Sequence, residues 1–173
     1  MNGFIVSVSH ADQRLLLALL NRRRPLLDTL MRLLTRLGNA EIIIPVTLAL
    51  ALGAADGPAE AGTVALWSLT ASHLVVQVIK RTFRRERPRL PVGFSFLIVP
   101  EDRFSLPSGH ATAGLSVALP LALALGGLLG ALILALGLTV GVSRCYLGVH
   151  YPTDVVAGWS LAVLAVGVVS LLV

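Results

Sequence analysis

Long apolar runs broken by short polar stretches organise the chain from residue 38 onward. Five runs approach the roughly 20 apolar residues that cover the hydrocarbon core of a bilayer. They occupy about residues 40–55, 61–80, 109–125, 128–147 and 153–173. Pro45 predicts a kink in the first run, and Asp56-Gly57-Pro58 predicts the turn that follows it. Gly126-Gly127 predicts a tight turn between the third and fourth. Gly148 closes the fourth and Pro152 opens the fifth.

Residues 1–37 differ. The apolar stretch at 15–20 is too short to span and is bracketed by Asp12, Gln13 and Arg14 before it and Arg22, Arg23 and Arg24 after it. A basic triplet after the apolar run is the reverse of a secretory leader. Residues 25–37 alternate arginines with a Leu/Met face, with Pro25 suited to a first turn and Gly38 to a stop. That pattern predicts an amphipathic helix lying in the membrane interface. The expected fold class is therefore an all-α membrane protein. Its helical bundle has five transmembrane helices, six if residues 1–37 hold a further crossing, with interfacial amphipathic helices at the N-terminus. One domain is expected over residues 1–173, with 1–37 interfacial and 38–173 forming the bundle.

Composition agrees. The 173 residues are 55% hydrophobic and 13% charged, with mean hydropathy +0.84; soluble domains carry nearly twice that charge fraction. The net charge of +5 does not argue for nucleic acid, because the basic residues flank the spans, where anionic headgroups account for them. The lone Cys145 excludes an intramolecular disulfide and reads as a small packing residue.

The polar breaks carry the chemistry. Ionisable groups at membrane depth are costly and mark function by default. The first break runs from Lys80 to Pro88. Lys80 and Arg87 lie two helical turns apart and share a face if the helix continues, although Pro88 biases Arg87 away from helical geometry. His73, Gln77, Lys80 and Arg84 also share a face, expected to point into the bundle. Arg81, Arg84, Arg85 and Arg89 read more simply as anchors to lipid headgroups. The 88–107 loop that follows is expected to dip residues 94–99 into the interface near the site.

The second break, Pro107-Ser108-Gly109-His110, opens the third span. Ser108 is a good N-cap, Gly109 lets an anion approach the backbone, and free N–H groups at a helix start attract anions. The third joins Ser143-Arg144 to His150 and Asp154. Asp154 can fix the His150 tautomer and leave the other ring nitrogen as nucleophile or base. Each motif alone has a plain structural alternative: an N-cap with a structural histidine, or a surface His/Asp pair. Alternating crossings, however, bring all three to one membrane face. Two histidines, three cations and a helix start suggest phosphoryl transfer with a covalent intermediate. Glu101 and Asp102 are poor grounds for a metal and are expected to be solvated or paired with Arg103.

These residues resemble a known family, the type 2 phosphatidic acid phosphatases, or lipid phosphate phosphatases, which are related to vanadium haloperoxidases. Its three motifs are Lys, six residues, Arg-Pro; Pro-Ser-Gly-His; and Ser-Arg, five residues, His, three residues, Asp. Lys80 to Arg87-Pro88, Pro107 to His110, and Ser143-Arg144 to His150 and Asp154 match all three in order. The resemblance implies that His150 forms a phosphohistidine, Asp154 orients it and His110 protonates the leaving group. It implies that Lys80, Arg87, Ser108, Gly109 and Arg144 clamp the phosphate. It implies no metal and no cofactor. The haloperoxidase branch is soluble, which this chain's hydropathy argues against. Family members commonly have six membrane helices, against five spans counted here.

The expected partners are the bilayer and a membrane lipid phosphate, with no nucleic acid. By analogy with short bacterial relatives the substrate is polyprenyl (undecaprenyl) diphosphate. Phosphatidic acid and phosphatidylglycerophosphate are the alternatives, and a non-catalytic lipid-phosphate binder or transporter is the rival class. All fourteen Lys and Arg fall on the motif side or in the N-terminal segment beside it, so the positive-inside rule puts the site on the cytoplasmic face of the cell membrane.

Overall fold

Among the described residues seven helices account for most of the chain. The structure, a computed structural model, describes residues 2–53 and 59–173, with side chains from His10 onward in the first helix. In order they are α1 (Asn2–Leu20), α2 (Pro25–Arg36), α3 (Ala40–Ala51), α4 (Ala59–Phe83), α5 (Gly109–Leu125), α6 (Gly127–Tyr146) and α7 (Pro152–Val169). Among the described residues the only β pairing is an isolated bridge between Glu86 and Phe104. The turn expected at Asp56-Gly57-Pro58 lies outside the described residues.

α4, α6 and α7 are long and apolar enough to cross a membrane; α2 and α3 are so together, bent by 50° at the break between them. α5 is an apolar helix of 17 residues, roughly 25 Å at the α-helical rise. Gly126 and Gly127 both take positive φ, 60° and 51°, which is why two glycines suffice to reverse the chain between α5 and α6. Gly148, at φ 89°, ends α6 as expected. α4 runs three residues past the apolar run read from the sequence but stops short of Arg87. Arg84 takes φ 48°, a left-handed conformation uncommon outside glycine, and the chain leaves the helix three residues before Arg87.

α5 is the hub: it packs against α4, α6 and α7, while α3 lies on α4 and α2 on α6. Ile43, Ala65, Leu69, Ala113 and Val117 form the core of the α3–α4–α5 side. Ala111, Cys145 and Val155 form another below the site, which gives Cys145 the packing role expected of it. Between α4 and α5 the buried Ser72 and Ser116 hydroxyls meet at 3.0 Å, a side-chain hydrogen bond of the kind that joins helices in apolar surroundings. Large hydrophobics such as Leu123, Leu128, Leu132, Leu164 and Val168 stay exposed on the outside of the bundle, where lipid rather than water suits them.

The approach of α7 to α5 sets the site. A Cβ at Gly158 would stand 2.7 Å from the Ser108 carbonyl oxygen and 2.9 Å from Thr112 Oγ1. Only glycine lets α7 touch the backbone at the start of α5. The Ser108 N–H donates to the Asp154 carbonyl at 3.0 Å, joining the second and third motifs through the main chain.

The N-terminal region is more regular than expected. α1 is a continuous helix of 19 residues, and its Asp12, Leu16 and Leu20 are all buried. It packs against α6 and α7. Arg23 does not project towards headgroups. Its Nε and Nη2 donate to the Tyr146 carbonyl at 3.1 and 3.0 Å and its Nη1 to that of Ser95 at 2.8 Å. A cation on the free carbonyls of a helix C-terminus is doubly favoured, by hydrogen bonding and by the helix dipole.

Candidate active site

All three motifs meet at one end of the bundle. Lys80 lies in the last turn of α4, Ser108 caps α5, Arg144 lies in the last turn of α6, and His150 and Asp154 straddle the start of α7. The Ser108 side chain accepts from the Ala111 N–H, as an N-cap does. Arg87 reaches the same point from outside the helix. Its Nη1 donates to the Val149 carbonyl at 2.8 Å and lies 3.2 Å from His150 Nε2. Together with Lys80 it converges on one carboxylate, that of Asp102, Lys80 through Nζ and Arg87 through Nη2 at 3.0 Å.

His150 is 1% exposed. Burial, followed by the cations Arg144, Arg87 and Lys80, pushes its imidazole well below the usual histidine range, so the ring is neutral near pH 7. An arginine N–H can only donate. The Arg87 contact therefore assigns the lone pair to Nε2 and the proton to Nδ1. Nδ1 faces Asp154 Oδ2 at 3.6 Å, too long for a hydrogen bond, and has no other partner among the described residues. Asp154 is engaged elsewhere. Oδ2 accepts from the Tyr151 N–H at 2.8 Å and Oδ1 from Arg85 Nη1 at 2.9 Å. The expected Asp154–His150 pair is thus adjacent but open, and such contacts commonly tighten only with substrate bound.

His110 sits in the first turn of α5, its Nε2 2.9 Å from Asn39 Oδ1 and 3.7 Å from Glu101 Oε1. Gly38 makes the approach possible, because a Cβ there would stand 3.0 Å from His110 Cδ2. Arg144 is 1% exposed; Nη1 donates to Thr35 Oγ1 at 3.0 Å and Nη2 to both Glu101 oxygens, at 2.8 and 2.6 Å.

Three expectations need correction. Glu101 and Asp102 do not pair with Arg103; they sit on Arg144 and on Lys80 with Arg87. Desolvation raises both carboxyls, but their partners prevail and hold them below their ordinary values: Arg144, followed by the His110 ring, for Glu101, and Lys80 and Arg87 for Asp102. Arg85 is no headgroup anchor. It bridges Asp12 at 2.6 Å and Asp154 at 2.9 Å and stacks on the Tyr151 ring at 4.4 Å. Arg84 departs from the inward stripe and is exposed, while His73 and Gln77, bonded at 3.2 Å, line a cavity below the site.

That cavity measures about 620 Å³. Ile43 and Ile44 of α3 and Leu66, Leu69 and Leu74 of α4 form its apolar wall, and Lys80, His110 and His150 close its polar end. Among the described residues no three His, Cys, Asp or Glu side chains are arranged to hold a metal. Two site neighbours escaped the sequence reading. Asp12 could have been found, since it falls four and eight residues before the buried Leu16 and Leu20, on their face of α1. Asn39 gave no such signal.

An apolar helical bundle with cations and imidazoles gathered at its helix ends, beside an apolar cavity, defines a membrane phosphatase of lipid phosphates. The chain belongs to the PAP2 superfamily, whose pattern matches residues 61–173. It is 31% identical over 169 residues to phosphatidylglycerophosphatase B of Bacillus subtilis, covering 91% of this chain and 81% of that protein. It is 32% identical over 136 residues to an undecaprenyl-diphosphatase of Sulfolobus acidocaldarius, covering 78% of this chain and 65% of that one. The crystal structure of the transmembrane PAP2 type phosphatidylglycerolphosphate phosphatase of Bacillus subtilis superposes with a TM-score of 0.79 at 28% identity, over 95% of this chain and 85% of that one.

Proposed function

We propose that this lipid phosphatase hydrolyses polyprenyl diphosphate through a phosphohistidine at His150, without a metal, and that residues 1–173 act as one domain. The observation that carries the mechanism is the buried His150 imidazole, whose Nε2 lies 3.2 Å from Arg87 Nη1; that contact and the downward shift caused by burial and the neighbouring cations support a neutral ring with Nε2 unprotonated. Those cations, with Ser108 and the Gly109 amide, hold the phosphate and stabilise the charge on its equatorial oxygens. Nε2 attacks phosphorus while His110 gives a proton to the leaving oxygen. Water then cleaves the phosphorus–nitrogen bond, with His110 taking its proton, and the phosphate leaves. Asp154 holds the imidazolium that forms at His150.

The apolar cavity between α3 and α4 supports a lipid tail entering sideways from the bilayer, and the likeness to an undecaprenyl-diphosphatase supports the polyprenyl chain. Phosphatidylglycerophosphate is the second reading, favoured by the fuller coverage of the Bacillus subtilis relative. Purified protein should release phosphate fastest from polyprenyl diphosphate in a panel with phosphatidylglycerophosphate and phosphatidic acid. A chelator should leave that rate unchanged. Activity abolished by the chelator would overturn the metal-free reaction, and a faster phosphatidylglycerophosphate reaction would replace the substrate.

Five crossings, α3 to α7, fit this reading, with α1 and α2 along the interface. The exposed Leu26, Leu30, Leu33 and Leu37 form a stripe along α2 that suits acyl chains, and the 50° bend turns the chain from the membrane plane into it. Of the fourteen Lys and Arg, five are engaged inside the protein (Arg23, Lys80, Arg85, Arg87 and Arg144). The nine that are exposed all lie at the site end or on α1, α2 and the link between them. The positive-inside rule therefore supports a cytoplasmic site. A cysteine replacing the exposed Val92 should react with an impermeant maleimide only after cells are opened. Labelling of intact cells would place the site outside.

A further inference from the structure

Charge contacts to all three motif cations are made by two residues with no place in the proposed chemistry. Glu101 chelates Arg144 through both its oxygens, at 2.8 and 2.6 Å. Asp102 takes Lys80 on one oxygen and Arg87 on the other, and Arg87 Nε also donates to the Asp102 carbonyl at 2.8 Å. Two neighbouring carboxylates thereby cover all three cations read as the phosphate clamp. They belong to the segment between α4 and α5, which is held at its base by the Glu86–Phe104 bridge and the 2.8 Å bond from the Ser105 N–H to the Arg85 carbonyl. Both remain partly exposed, 49% and 41% in the side chain, so they can swing outward. Their removal need not break the bundle.

We propose that Glu101 and Asp102 form an internal competitor that admits to the clamp only headgroups ending in a dianionic phosphate. The proposal rests on reading Lys80, Arg87 and Arg144 as that clamp. Two carboxylates supply two negative charges, and a terminal phosphate carries close to two at neutral pH. Exchanging one for the other conserves charge around a partly buried cluster. A phosphodiester carries one. Displacing the carboxylates with it would leave one more cation of the cluster uncompensated at low dielectric, which is strongly unfavourable. Discrimination of this sort works by penalising the wrong ligand rather than by improving contacts to the right one. It matters here because phosphodiester lipids surround the cavity mouth in any bilayer. A phosphate also offers more acceptor oxygens than the carboxylate it replaces on Arg144, whose Nε has no partner at present.

Inorganic phosphate and phosphatidylglycerol vesicles are the probes. In the unaltered protein, saturating phosphate should speed amide exchange across residues 98–105, because the Phe104 N–H is bonded to Asp102 Oδ1 at 3.0 Å and loses that partner when Asp102 leaves. The double variant Glu101→Gln, Asp102→Asn should bind phosphate about tenfold more tightly, since apparent affinity rises with the fraction of open sites. It should also become sensitive to inhibition by phosphatidylglycerol. Exchange slowed or unchanged by phosphate overturns the proposal, as does a folded variant that binds phosphate no better. If the variant does not fold, the exchange measurement on the unaltered protein decides. Absence of phosphate binding to the unaltered protein and the variant alike would overturn the clamp and this proposal together; phosphate bound without displacement of the segment would overturn this proposal alone.

Discussion

Replacing His150 with alanine is expected to lower phosphate release by roughly 10⁴-fold or more, the scale on which enzymes lose rate when a covalent nucleophile is removed. The argument lies in the protonation state. Burial and three neighbouring cations keep the His150 imidazole neutral near pH 7, so Nε2 needs no base to deprotonate it, only release from the Arg87 N–H. Its Nδ1 proton points towards a carboxylate that would take up the charge formed on attack. The substitution leaves Lys80, Arg87 and Arg144 in place, so inorganic phosphate should still bind. Lipid turnover and acid-quenched trapping of a phosphorylated enzyme measure the two effects separately. Hydrolysis retained in the variant would remove the phosphohistidine mechanism.

The second large effect is expected at Arg85. Among the described residues its guanidinium is the only arginine or lysine partner of two buried carboxylates, Asp12 at 1% and Asp154 at 0% exposure. Arg85→Met would leave both without their cation, and breaking a buried pair from one side costs about 3–5 kcal/mol. Asp12 would keep its contacts with the Thr153 N–H and hydroxyl, so Asp12→Asn should cost less. The double variant should cost less than the sum, because the two residues share one interaction. Thermal melting in detergent checks all three. A melting temperature unmoved by Arg85→Met would return that residue to the lipid surface, where its place in an arginine-rich stretch first suggested it belonged.

That case shows what was legible in the sequence and what was not. Hydrophobic runs located α4, α5, α6 and α7 to within a few residues, because a helix in lipid has few ways to begin or end and Gly126, Gly127, Gly148 and Pro152 mark them. The motif residues were legible for a related reason: a charge inside an oily run needs an explanation. Pairings were not legible. Arg81, Arg84 and Arg85 look alike on paper, and only the left-handed turn at Arg84 decides that Arg85 turns inward. Glu101 and Asp102 stand beside Arg103, yet their cationic partners lie 15 to 43 positions away. α1 was obscured by its composition: Asp12 reads as a polar boundary until Leu16 and Leu20 are seen on the same face.

The glycine contact at Gly158 carries one more consequence. With α7 resting on the main chain of α5, the imidazole of His110 in α5 and that of His150 just before α7 are held by a pair of rods that have no slack between them. The carboxylates covering the cations hang instead from a connection with neither a helix nor a ladder of its own. Stiffness is spent where bonds are made and broken, and compliance is kept for the doorway, so a change in the segment at 88–107 can retune which lipids enter without disturbing the reaction within.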